Sequence, residues 1–201
     1  IKKCLMTTTL GLVVTLVGFS NSTAYAYQDY ETLKEDARIL MSNSLNTDLA
    51  PKNSSFENPI AERMWISTHM DKVKRYHPEL EPREDLLRAI HYEATRAGLD
   101  PELVLGLIKV ESGFNKYAIS SVGARGLMQI MPFWTKVIGN ETHNLFDIRT
   151  NLRYGCLILR HYLDLEIENG NMFRALGRYN GSLGKAQYPT LVVSAANQFR
   201  K

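Results

Sequence analysis

The chain has 201 residues, 44% of them hydrophobic and 22% charged, with a formal net charge of +3. That length can bury a proper core, and the composition lacks the bias that marks a disordered chain. The first 26 residues hold two lysines and no acids, so the remainder balances 22 basic against 21 acidic residues, and bulk charge gives no support for nucleic-acid binding.

At the start, Lys2 and Lys3 precede the apolar run "LGLVVTLVGF", and "STAYA" follows with an Ala24-x-Ala26 pattern. A charged leader, a short apolar stretch and a small-residue site predict a secretory signal peptide over 1–26. The run is shorter than the roughly 20 apolar residues of a comfortable membrane span. An uncleaved anchor is the alternative. Cys4 precedes the apolar run, whereas a lipoprotein cysteine would follow it. Cys156 is then alone, so no internal disulfide is expected, and its helical surroundings suit a small buried hydrophobe. Export is the expectation.

Beyond residue 26, Leu33, Ala37, Leu40, Met41 and Leu45 recur at helical spacing. The stretch "NTDLAPKNSSFENP" reads as a linker, and a second helix is expected from near Pro59. Residues 27–78 therefore form a helical leader, whose spacing suits packing against the domain more than docking of an envelope-assembly partner. Pro82 suits the first position of the next helix, which should end at Gly98. Asp100-Pro101 then repeats a cap-and-proline start. Leu103, Val104, Leu107, Ile108 and Glu111 follow at three- and four-residue steps, so Glu111 shares an apolar helix face. Further helices are expected at 132–138, 150–163, 171–178 and about 186–199. Nothing alternates like a strand. The fold class is all-α, with a main domain at 79–190 and a C-terminal helical tail at 191–201.

A carboxylate among apolar side chains at a helix C-terminus resists ionisation, which suits a proton donor near neutral pH. The bland alternative pairs Glu111 with Lys109 or Lys116. "SSVGARGLMQIMP" follows, with Gly123 and Gly126 suited to positive φ or close backbone approach. Gln129 lies in its apolar strip, where the amide can hold a ligand or tie down the loop. Tyr179-Asn180 precede a glycine-rich turn, and Tyr179 can be core or cleft.

Glu111-Ser112, then Gly126-Leu127-Met128-Gln129, then Tyr179-Asn180 together resemble the soluble lytic transglycosylase (SLT) domain, glycoside hydrolase family 23, over roughly residues 84–190. The resemblance implies a lysozyme-like helical domain around a cleft for peptidoglycan glycan strands. Glu111 matches the family's catalytic acid/base. Ser112, Ser120, Gln129, Met131, Tyr179 and Asn180 match positions around the substrate, with Tyr179 facing the carboxylate and Asn180 ordering the backbone. Arg178 departs from the small residue often found before Tyr-Asn. The implied reaction cleaves the bond between N-acetylmuramic acid and N-acetylglucosamine and closes a 1,6-anhydro ring, with Glu111 as acid and then base.

A goose-type hydrolytic muramidase is the nearest alternative, and it would want a second carboxylate; Glu141 and Asp147 are the nearest acids downstream. A non-catalytic wall-binding module is another, but it predicts a missing acid or a broken Gly-Leu-Met-Gln strip. His91-Tyr92-Glu93 has the spacing of zinc deaminases without their cysteine pair. His143 could bond a glycan or simply be solvated. No metal and no cofactor are expected, and the expected state is a monomer.

Overall fold

The computed structural model describes residues 33–46, 55–77, 80–165 and 171–201. Among these, the helices are α1 (Glu35–Asn46), α2 (Pro59–Val73), α3 (Leu80–Arg96), α4 (Pro101–Glu111), α5 (Phe133–Ile138), α6 (Ile148–Leu165), α7 (Met172–Asn180) and α8 (Gln187–Arg200). β-pairing among the described residues is confined to two isolated bridges, Ile119 with Arg125 and Arg125 with Ile130. The fold is all-α, as the sequence predicts. The signal-peptide reading of residues 1–26 lies outside the described residues.

Local chemistry sets the helix ends. Asn58 accepts from the backbone N–H groups of Ile60 and Ala61, with Pro59 opening α2. Asp100 caps Glu102 N–H in the same way, with Pro101 at the first position of α4. Gly98 takes φ 65° and lets Leu99 N–H return to Ala94 O at 2.9 Å, closing α3. One start differs from expectation: α3 begins at Leu80, so Pro82 sits inside the first turn. A missing N–H costs nothing there, because that donor has no intrahelical acceptor.

α4 is the axle of the core. Leu103, Val104, Leu105, Gly106, Leu107 and Ile108 are all buried, so the helix is enclosed on every side rather than along one face. Its principal neighbour is α8. A Cβ on Gly106 would lie 2.5 Å from the backbone nitrogen of Ala196, so these two helices cross in backbone contact. A glycine in a helix interior costs roughly 1 kcal/mol, and the close crossing is what it permits. Val192, Ala195, Ala196 and Phe199 line the buried face of α8. The boundary drawn at residue 190 thus falls within a helix that covers α4.

Glu93 and Arg153 join α3 to α6 through bonds of 2.9 and 3.1 Å, with both side chains fully buried. A bidentate pair with both charges matched can be carried inside a core, while either partner alone would be costly. Glu93 is therefore a structural carboxylate.

α2 is fastened to the main domain. Trp65 Nε1 donates to Glu102 at 2.8 Å, Arg88 Nε to Glu62 at 2.7 Å, and Lys72 Nζ to Phe199 O at 2.6 Å. In α1, Met41 and Leu45 are buried but Leu40 is 68% exposed. One residue turns a helix by about 100°, so Leu40 and its neighbour Met41 face different ways.

Candidate active site

Glu111 is the last residue of α4, so the helix that fills the core delivers its carboxylate to the core's edge. Ser112 caps that end. Its hydroxyl donates to Leu127 O at 2.7 Å, with Ile108 O a more distant acceptor at 3.2 Å, clasping the helix end to the glycine loop. Gly113 (φ 56°) and the buried Phe114 (φ 66°) then turn the chain sharply. A bulky residue at positive φ is strained, and here burial holds it.

The loop from 118 to 131 is a small knot of backbone pairs. Arg125 and Ile130 exchange two hydrogen bonds of 2.9 Å, and Gly126 N–H reaches Ala118 O at 2.9 Å. Ser120 Oγ accepts from Ala124 N–H at 3.0 Å. Gln129 takes φ 51° and donates through Nε2 to Gly126 O at 2.9 Å and Ala118 O at 3.2 Å. Ser112, Ser120 and Gln129 therefore all hold the loop in shape. Ser120, Gln129 and Met131 remain only partly buried, so each keeps a surface toward solvent.

Asn151 of α6 anchors the knot from beneath. Its Oδ1 accepts from Met128 N–H, and its Nδ2 donates to Arg125 O and Leu145 O, each at 2.8 Å. A Cβ on Gly126 would lie 2.3 Å from that Nδ2, which is why glycine is needed there. Gly155 similarly lets Met128 lie directly on α6.

Two phenols meet this region. Tyr188, on α8, donates its hydroxyl to Glu111 Oε1. Tyr179, on α7, donates to Met128 O at 2.8 Å and lies near enough for the Glu111 charge to act on it. Burial holds both phenols well above their ordinary pKa, so each keeps its proton and acts as a donor. Asn180 ends α7, partly buried, just before Gly181 at φ 74°.

Burial pushes the Glu111 pKa up to about 7, against the opposing pull of the Tyr188 hydrogen bond. Neither lysine offered as a partner pairs with it. Lys109 donates to Gln198, and Lys116 lies over the Tyr117 ring at 4.8 Å. The two acids considered as a second carboxylate are engaged elsewhere: Glu141 pairs with Lys136 at 3.3 Å, and Asp147 caps Thr150 N–H at 2.8 Å.

Tyr188 and Asn151 are the site residues that sequence reasoning missed. A signal for Tyr188 existed, because Tyr188, Val192, Ala195 and Phe199 share one helical face. A tyrosine on the face that covers α4 lies over that helix's end. Because a hydrogen bond to the ionised form lowers a carboxyl pKa, Tyr188→Phe is expected to raise that of Glu111 above about 7. The alkaline limb of the activity profile should move to higher pH. An unmoved limb would show that the bond contributes nothing.

With this arrangement in view, the chain belongs to the Transglycosylase SLT domain family, which it matches over residues 88–191. It is 39% identical over 90 residues to the protein named Transglycosylase of Enterobacteria phage PRD1, covering 45% of this chain and 32% of that protein. To the Membrane-bound lytic murein transglycosylase C of Haemophilus influenzae (strain PittEE) it is 34% identical over 122 residues, covering 54% and 34%. The protein of that name from Histophilus somni (strain 2336) is 27% identical over 168 residues, covering 76% and 43%. The chain thus spans less than half the length of these curated relatives. Among its described residues no helix is long and apolar enough to cross a membrane.

Proposed function

We propose that this chain is a peptidoglycan lytic transglycosylase, cleaving the β-1,4 bond between N-acetylmuramic acid and N-acetylglucosamine to leave 1,6-anhydromuramic ends. The observation that carries the reading is a carboxyl group at the edge of the core, without a cation partner among the described residues, its pKa raised to about 7 and touched by a neutral phenol. Such a group can hold a proton at neutral pH and still give it up.

Glu111 protonates the glycosidic oxygen as the bond to the muramic anomeric carbon breaks. The positive charge at that carbon is stabilised by the sugar's own 2-acetamido oxygen, so a second protein carboxylate is not required. Glu111, now ionised, takes the proton of the muramic 6-hydroxyl as its oxygen attacks the same carbon. The acid regains its proton, and no water is consumed. Tyr188 steadies the carboxylate between the two proton transfers. Ser120, Gln129, Met131 and Tyr179 line or shape the cleft, while Ser112 and Asn180 fix the backbone that carries them. Hydrolysis would want a second carboxylate near Glu111, and the two acids nearest downstream are engaged with Lys136 and with Thr150 N–H. The same reading makes residues 79–190 the catalytic domain of an exported, periplasmic chain.

Glu111 must begin protonated, so cleavage of purified sacculi should be steady in mild acid and fall as pH rises through about 7. A rate that climbs from pH 7 to 9, measured by release of soluble muropeptides, would contradict this assignment.

A further inference from the structure

The glycine loop borders a pocket of about 420 Å³. Ligand pockets run to roughly 300–1,000 Å³, so this one can hold a substituent of the strand. Arg125 belongs to the loop, and Pro132 and Phe133 follow its last residue, Met131; all three line the pocket, which therefore adjoins the segment that carries Gln129 and Met131. Leu145, Lys136 and His143 line it too.

The charges in this pocket do not cancel. Lys136 and the lining Glu141 pair with each other at 3.3 Å. Arg125 is exposed and has no carboxylate partner among the described residues; its guanidinium rests 5.9 Å from the Phe146 ring centroid. That leaves one fixed cation beside a cleft built for neutral sugars.

His143 is held in place rather than solvated. The fully buried Tyr154 bonds its Nδ1 at 2.8 Å. A Cβ on Gly139 would overlap the Tyr154 hydroxyl, so the glycine is what admits this contact. Burial keeps the phenol protonated, and the backbone of Asn140 acts on the same oxygen. The bond to Tyr154 fixes the orientation of the ring, and His143 lines the pocket with its remaining edge.

Resting on the transglycosylase reading, we propose that this pocket reads the carboxylates of the peptide stems on muramic acid, with Arg125 and His143 as the anion-binding pair. Pro132, Phe133 and Leu145 receive the short alkyl side chains of the stem. The sugar rings of the strand are uncharged, so an unpartnered arginine beside their cleft finds its anion on the substituents. Stems supply it; on a stripped strand the lactyl carboxylate is the same chemistry from another source.

The test compares the full chain with Arg125→Gln and His143→Gln on two substrates: solubilised strands with stems intact, and strands stripped by an amidase. Each variant should raise the half-saturating concentration about tenfold on stem-bearing strands, the scale of one charge-assisted hydrogen bond, and leave it unchanged on stripped strands. Arg125 is exposed, so its variant keeps the fold. Equal losses on both substrates, or no loss on either, would overturn the proposal. A loss confined to stripped strands would reassign the pocket to the lactyl group and overturn the stem reading. Wild-type chain inactive on both substrates would bring down the transglycosylase reading, and this inference with it.

Discussion

Glu111→Gln is expected to lower the release of muropeptides from sacculi by about 10³-fold, within the range of general acid–base catalysis, while the fold persists. Glutamine keeps the shape and can still accept from Tyr188, but it has no proton to give at neutral pH. The same substitution should stabilise the protein, and only above a particular pH. Burial raises the Glu111 pKa from 4.5 in the open chain to about 7 in the fold. Between those values the folded state binds more protons than the unfolded one, so stability falls as pH rises through the window and stays lower beyond it. A neutral amide removes that loss. At pH 4 the variant and wild type should melt together. At pH 8 the variant should be more stable by about 1–3 kcal/mol, which is roughly 2–4 °C for each kcal/mol. A variant less stable than wild type at pH 8 would mean that some group compensates the Glu111 charge.

Asn151→Ala is expected to be strongly damaging to both stability and activity. It orphans Met128 N–H and Leu145 O at a fully buried position and takes a second bond from Arg125 O, which keeps that of Ile130 N–H. Each orphaned group costs about 1–3 kcal/mol, so a loss of about 3–5 kcal/mol and a fall of about 10 °C or more in Tm are expected. Activity should drop even well below the melting range, because the loop carrying Gln129 and Met131 loses its anchor. A Tm within about 2 °C of wild type would show that the loop keeps its shape without α6.

Much of this architecture was legible because it is written locally. Asp100-Pro101, Gly98 and the apolar spacing of α4 declare their helix within a few residues, and Glu111 stands out as the one acid in that pattern. Motif spacing then found the glycine loop. What escaped was long-range. Tyr188 and Glu111 lie 77 residues apart in sequence, Glu93 and Arg153 lie 60 apart, and Asn151 reaches across 23 residues to Met128. No local period encodes which side chains face one another when helices pack. The same limit explains α8: its residues 191–200 read as a tail, although Gly106 and Ala196 let it lie directly on α4. Gln129, Ser112 and Ser120 were singled out for a ligand, and their visible bonds are to backbone. Such residues can do both, since a rigid loop is what positions the surface they leave exposed.

The central claim is that one carboxyl group, acting as acid and then base, closes an anhydro ring without water. Mass spectrometry of the muropeptides released from purified sacculi by the wild-type chain tests it most directly. Products lighter by one water than their reducing counterparts, ending in 1,6-anhydromuramic acid, are the predicted result. Reducing muramic ends would contradict it, and would demand a second, water-activating carboxylate.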